Sequence, residues 1–128
     1  MFYAFSMGIT AAHTAAAPHK IKLPLSQGII HQVDVLFQSG CAHLQHVQIF
    51  DADLQLWPYN RGENIRGDAT VVSFREFYEL REDNNFLTAY AWTDNAANLF
   101  DVVVQIGVLP RNILQPFSLA ELLRAIRR

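Results

Sequence analysis

Residues 86–110 read FLTAYAWTDNAANLFDVVVQIGVLP, and they predict two β-strands joined by a polar turn. From Phe86 to Thr93 the side chains alternate between two faces, which is the period of two that a strand imposes. The second segment, 99–109, aligns four branched side chains on one face: Val102, Val104, Ile106 and Val108. Pro110 ends this strand, because proline cannot donate to a hydrogen-bond ladder.

The same alternation repeats towards the N-terminus at spacings of about 8–12 residues. Further strands are predicted over 20–25, 29–37, 43–50, 54–57, 69–74 and 77–80. No connection is long enough to hold the helix that a parallel crossover needs. The chain is therefore predicted to be all-β, an antiparallel, jelly-roll-like β-sandwich of about seven or eight strands.

The two ends of the chain depart from the strand pattern and define the predicted organisation. Residues 1–19 are apolar and rich in alanine, and they predict an extended arm before a sandwich domain over 20–110. Residues 111–128 predict a linker and one short helix. Ser118 and Glu121 form a capping box, which marks a helix start. One apolar face follows it: Leu119, Leu122, Leu123 and Ile126.

The predicted C-terminal helix needs a surface to pack against. It spans about ten residues, fewer than the ~12–15 at which an isolated helix is marginal in water. Its apolar face must therefore dock, either on the sandwich of the same chain or on a neighbouring subunit. The sequence leaves both open.

The composition excludes several classes of protein. The chain has 128 residues, of which 51% are hydrophobic and 17% charged, so it is one folded domain and not a disordered chain. A net charge of −2 is not typical of nucleic-acid binding. With Cys41 alone no intrachain disulfide forms, which argues against a disulfide-dependent secreted protein. No stretch approaches the ~18–20 apolar residues of a membrane helix.

The part of the sequence that most resembles a metal-binding motif contains Cys41, His43 and His46. Zinc requires nitrogen and sulfur ligands that converge on a tetrahedron. On a regular strand the odd spacing of His43 and His46 points them to opposite faces, and no fourth ligand is evident. We therefore predict no metal and no cofactor, and the role of these three residues stays open.

No nucleophile, carboxylate-pair or phosphate-loop motif stands out, so the chain is predicted not to be an enzyme. The aromatic residues Trp57, Tyr59 and Trp92 allow two interpretations. Tryptophan and tyrosine are favoured in cores and subunit interfaces. Alternatively, the three rings form an exposed platform that stacks on sugars, which would make the chain a carbohydrate-binding module.

Several short stretches resemble a group of known proteins. They are GIIHQV from 28, SGCAHL from 39, VQIFD from 47, QLWP from 55, GD at 67, YEL from 78 and VQIGVLP from 104. Together they are similar to small single-domain β-sandwich proteins associated with tailed-phage virion gene clusters. The similarity covers roughly residues 20–110, and its motifs are structural, so it implies no active-site residue. It implies a virion component, such as a capsid decoration (cement) protein.

The sequence and the resemblance together predict a structural protein that binds neighbouring subunits. Closed homo-oligomers are the default for such proteins, and a trimer would suit the local symmetry of a capsid. The predicted interface residues lie at the two ends of the chain: Phe2, Tyr3, Phe5, Met7, Leu119, Leu122, Leu123 and Ile126. The predicted location is the virion, or the cytoplasm if the resemblance does not hold.

Overall fold

A computed structural model of the chain describes residues 1–80 and 85–110. The described residues form eight β-strands. Their bounds are β1 Phe2–Met7, β2 His19–Pro24, β3 Ile29–Phe37, β4 Gln45–Asp51, β5 Leu54–Trp57, β6 Thr70–Glu79, β7 Phe86–Thr93 and β8 Val102–Leu109. All strand pairs are antiparallel, so the predicted all-β antiparallel class is confirmed.

The strands form two sheets of four. The first sheet has the order β1-β8-β3-β6 and the second the order β2-β7-β4-β5. Successive strands alternate between the sheets, except for β4 and β5, which form a hairpin. The hairpin turns at Ala52, whose φ of 52° lies in the left-handed region. Asp51 and Asp53 flank it, as the turn pattern in the sequence predicts.

The inner faces of both sheets share one hydrophobic core, which makes the arrangement sandwich-like. The centre of the first sheet aligns Val33 with Ile106 and Val35 with Val104 across β3 and β8. Residues of the second sheet complete the same cluster: Leu23, Val47, Ile49, Leu56, Trp57, Leu87, Ala89 and Ala91. In most of these strands alternation places every second residue in this core, because successive strand side chains point to opposite faces. In β5 the adjacent Leu56 and Trp57 are both buried there, next to an irregularity in its pairing with β4.

Three of the predicted strands differ from the observed ones by more than one residue. The segments 69–74 and 77–80 are a single ten-residue strand, β6, with an irregularity between Arg75 and Tyr78 opposite His31. The strand predicted over 43–50 begins at Gln45, because Ala42 and His43 adopt left-handed φ values that a strand excludes. β8 begins at Val102 and not at Leu99.

The structure tests the prediction for the N-terminal end of the chain and does not describe the C-terminal end. The predicted arm, residues 1–19, contains strand β1, whose Phe2–Met7 pair with Val102–Gly107 of β8. These residues are extended, as predicted, but they belong to the first sheet and are not separate from it. The predicted linker and helix, 111–128, lie outside the described residues.

Candidate interaction surface

Two of the four sheet edges are protected against pairing with another chain. The edge strand β2 exposes Lys20, Lys22 and Pro24, and charged residues and proline are common protections of an edge. The edge strand β5 has four residues. Beyond its end, Ile65 takes its place and bonds β4 through Val47, with N–O distances of 2.8 and 2.9 Å.

Gln55 of β5 holds the loop that covers this second edge. Its side-chain amide donates to the carbonyl oxygens of Pro58 at 2.7 Å and Glu63 at 3.0 Å. Its oxygen accepts from the backbone N–H of Gly62 at 3.2 Å. Gln55 is buried, so these bonds replace those it would make to water. The loop 58–63 is thereby held beside β5.

The edge strand β6 carries less protection. It is ten residues long, and within residues 1–80 and 85–110 it pairs on one side, with β3. Two large apolar side chains stand out on it: Val71 is 52% exposed and Phe77 is 72% exposed. A long edge strand with exposed apolar residues offers unpaired backbone groups to another chain.

An apolar cleft of about 280 Å³ opens beside β6, between the edges of the two sheets. It is lined by Trp57, Pro58, Ile65, Val72 and Phe74. The ring of Trp57 contacts that of Phe74, with centroids 5.8 Å apart. Val72 and Phe74 are partly buried on the inner face of β6, so the cleft continues the core to the surface.

Two polar contacts link the sheets at the end of this cleft. The indole nitrogen of Trp57 donates to a carboxylate oxygen of Glu76 at 3.0 Å. The hydroxyl of Tyr78 donates to the carboxylate of Asp51, which is buried at the end of β4. A buried carboxylate is costly without such a donor. These contacts hold β6 against the second sheet while Val72 and Phe74 remain at the cleft.

A shallow hollow extends the apolar surface around β6 onto the outer face of the first sheet. Its volume is about 480 Å³, and its apolar lining comes from Leu36, Phe37, Val71 and Val103. Val71 and Leu36 are cross-strand neighbours, as are Leu36 and Val103. We use "open side" below for the β6 strand together with the apolar cleft.

The opposite side of the two sheets, where β1 and β2 lie, is closed. The N-terminal amino group of Met1 donates to the carbonyl of Val108 at 2.7 Å. The backbone N–H of Ser26 donates to the hydroxyl of Tyr3 at 3.1 Å, which joins β1 to the segment after β2. Met7 is fully buried in the common core. We call this the closed side.

His13 and His19 lie in the loop between β1 and β2 and at the start of β2, with ring centroids 4.4 Å apart. The carbonyl of His13 accepts from the backbone N–H of Thr93 at 3.1 Å, which ties the loop to β7. Burial lowers the pKa of His19, and the neighbouring His13 lowers it further. Both causes disfavour the charged imidazole.

The structure does not bring Trp57, Tyr59 and Trp92 together as an exposed platform. Trp57 is 5% exposed in the core, and Trp92 is 8% exposed on the second sheet. Tyr59 is 78% exposed. The two indoles therefore pack inside the fold and offer little flat surface to a sugar ring, because their apolar area is covered by protein.

The ring of Trp92 stacks on His46, with centroids 5.2 Å apart. His46 is buried, and its two ring nitrogens contact the side chains of Asp94, at 2.5 Å, and Asn64. His46 thus joins two loops to the outer face of β4. The sequence placed it near Cys41 and His43, but its ring is engaged elsewhere.

Cys41 is buried without a disulfide, and burial raises the pKa of its thiol. His43 is exposed in the loop before β4. In residues 1–80 and 85–110 there is no group of three or more His, Cys, Asp or Glu side chains that could hold a metal ion. That part of the chain also contains no helix long and apolar enough to cross a membrane.

The predicted interface residues of β1 have different surroundings. Phe2 is exposed, Tyr3 and Phe5 are half-buried with their rings stacked, and Met7 is in the core. Leu119, Leu122, Leu123 and Ile126 lie outside the described residues.

The sequence does not predict the open side, because Arg75 and Glu76 divide β6 into two apparent strands.

Comparison with known proteins gives no relative. No family model matches the chain, and neither a curated protein nor a solved structure matches it.

Proposed function

We propose that this chain is a structural assembly protein, a virion component such as a capsid decoration protein or a related accessory subunit. The observation that carries this proposal is the open side. A ten-residue edge strand with exposed Val71 and Phe77 runs beside an apolar cleft. Such surfaces mark sites of protein–protein contact, because burying them removes apolar area from water and completes a sheet.

We also infer that the fold is a jelly roll. Support comes from the eight strands, their division into four and four, and connections that cross between sheets everywhere except at the β4–β5 hairpin. Jelly rolls occur in viral capsid and lectin domains. The resemblance of residues 20–110 to proteins of phage virion gene clusters favours the first of these.

The expected partners are protein subunits, either further copies of this chain or a capsid-type neighbour. The predicted helix at 118–127 is a second candidate contact, since its apolar face needs a surface. The chain ends and the open side would then act together in assembly.

The solution mass of the full-length chain, measured by light scattering over a range of concentrations, tests self-assembly. A discrete oligomer supports the proposal. A chain that ends at Leu114 is the matched variant: if it falls to the monomer mass, the C-terminal residues form part of the contact. If it keeps the oligomer mass, the contact lies in the sheets.

Virion placement has its own test. An antibody against the folded chain is used to stain particles banded by density from the cells that make this protein. Regular labelling of particles supports a decoration role. Particles that carry none of the chain contradict the virion part of the proposal, whatever the oligomeric state.

A further inference from the structure

The edge strand β6 is suited to pair with itself. Its segment Val71–Phe77 contains one cation, Arg75, and one anion, Glu76, so two copies meet without a net charge. A pair of β2 strands would instead bring Lys20 and Lys22 of both copies together. Two-fold dimers are the commonest oligomers, and they use the same surface on both subunits.

We propose that β6 pairs antiparallel with β6 of a second copy of this chain, about a two-fold axis at Phe74. This proposal rests on the assembly function above and names the partner and the contact. It joins the two first sheets edge to edge into one sheet of eight strands, since each contributes four.

The charges select the register of the pair. Residues that lie opposite each other in the pair must have their side chains on the same face of the sheet, so the register can shift only by two residues at a time. Each such shift moves the two-fold axis by one residue along β6. Centring the axis on Arg75 or on Glu76 sets two like charges directly opposite, which is unfavourable. Centring it on Phe74 avoids both clashes and pairs Val71 of each copy with Phe77 of the other.

The backbone favours the same centre. A register centred on Phe77 would put the irregularity between Arg75 and Tyr78 in the middle of the pair. In a register centred on Ser73, Phe77 would have no partner residue within the segment Val71–Phe77. With Phe74 at the axis, the regular part of the ladder with β3, Thr70–Arg75, contains the centre, and the irregularity falls towards the two ends of the pair, where Phe77 meets Val71.

The apolar cleft supplies the driving force. Val72 and Phe74 line it from β6, and both lie on the inner face of the strand. A second β6 at this edge covers the mouth of the cleft and the half-buried side chains of Val72 and Phe74. Burial of apolar surface is the main favourable term in association.

The contact predicts a dimer. A two-fold pair uses up the edge on both copies and closes, whereas a trimer needs two different surfaces that meet head to tail. The expected mass is twice the 14.5 kDa of the chain.

The first experiment compares solution masses by light scattering. The test variant carries Val71→Lys and Phe77→Lys, two exposed positions whose change leaves the core intact. The control is Phe2→Lys, which alters a similarly exposed ring (60% exposed) on β1, the other edge of the same sheet. We expect a dimer for the natural chain and the control, and a dissociation constant raised by about tenfold or more in the test variant. A dimer indifferent to the β6 changes, or broken by Phe2→Lys alone, would overturn the contact.

The second experiment reads the register by disulfide formation. The proposed register places Ser73 opposite Arg75 of the second copy, at about 4.5–5.5 Å between Cα atoms, a distance that a disulfide spans. The same residue in both copies is about 8 Å apart, beyond that span. Chains with Ser73→Cys and with Arg75→Cys should therefore cross-link when mixed and stay unlinked when oxidised separately. Cys41 is buried and gives little background.

The outcomes separate this inference from the assembly function. A trimer or larger oligomer that forms no 73–75 cross-link overturns the β6 pair and leaves assembly standing. A chain that is monomeric at every concentration also overturns the β6 pair. In that case the labelling of particles still decides the assembly function.

Discussion

The closed side and the open side of this molecule differ in how the boundary between the two stacked sheets is covered. On the closed side, Met7 enters the core, and the start of the chain is hydrogen-bonded to β8 and to the segment after β2. Lys20 and Lys22 protect the edge. On the open side, β6 ends the first sheet beside a cleft that Trp57 and Phe74 line with apolar surface.

The contrast shows that edge protection in this fold is local. An edge strand is blocked by charge, by shortness or by a covering loop. β2 and β5 have one or more of these, and the edge strand β1 has six residues against the ten of β6. β6 has Arg75 and Glu76 near its middle but keeps exposed apolar residues on either side of them. The predictions below test whether one side stabilises the monomer and the other serves a partner.

The largest expected effect is on the closed side. Deleting residues 1–7 removes β1, whose Met7 is fully buried. Loss of a buried methionine side chain alone costs about 2–5 kcal/mol. Since a domain's whole stability is on the order of 5–15 kcal/mol, we expect the shortened chain to be largely unfolded. Circular dichroism and urea unfolding measure this. A shortened chain as stable as the full one would mean that β1 is a separable arm.

A smaller loss is expected on the open side for Trp57→Ala. The indole is buried against Phe74 and Tyr78 and donates to Glu76, so its removal should lower the free energy of unfolding by about 3–5 kcal/mol. The control is Tyr59→Ala, an exposed ring two residues away, with an expected change within about 0.5 kcal/mol. Unchanged stability in Trp57→Ala together with loss of glycan binding would instead favour the carbohydrate-binding hypothesis.

The smallest effect is a pH dependence of the closed side. The pKa of His19 is lowered by burial and by His13, so the unfolded chain binds this proton more readily than the folded one. The contribution of His19 is complete above the unfolded value of about 6.5 and is lost as the pH falls through the folded pKa. Urea unfolding between pH 8 and pH 5 should show this fall. His19→Gln should reduce it, and a fall of the same size in that variant would contradict this assignment.

Much of the fold could be predicted because alternation is a local signal. β3, β5 and β7 were placed to the residue, and the turn at Ala52 followed from its aspartates. β1 was missed as a strand of the sheet because its pairing with β8 joins residues about a hundred positions apart, which no local pattern reveals.

The candidate surface was harder to predict for a similar reason. Whether a tryptophan lies in the core or forms part of an exposed binding platform depends on which residues of the facing sheet cover it. Trp57 is in contact with Phe74 of the other sheet. The cleft lies between β5, which has four residues, and β6, which has ten. The length of β5 could be read from the sequence, but the length of β6 and the neighbours of each strand could not.

The most direct test of the central claim is hydrogen exchange of the β6 backbone at low and high protein concentration. If β6 pairs with a second copy, the amides of Val71–Phe77 on its outer edge should exchange more slowly as the concentration rises, and those of β1 should not change. Exchange of β6 at one rate across all concentrations would contradict the account. Protection appearing at β1 instead would assign the contact to the other edge of the same sheet.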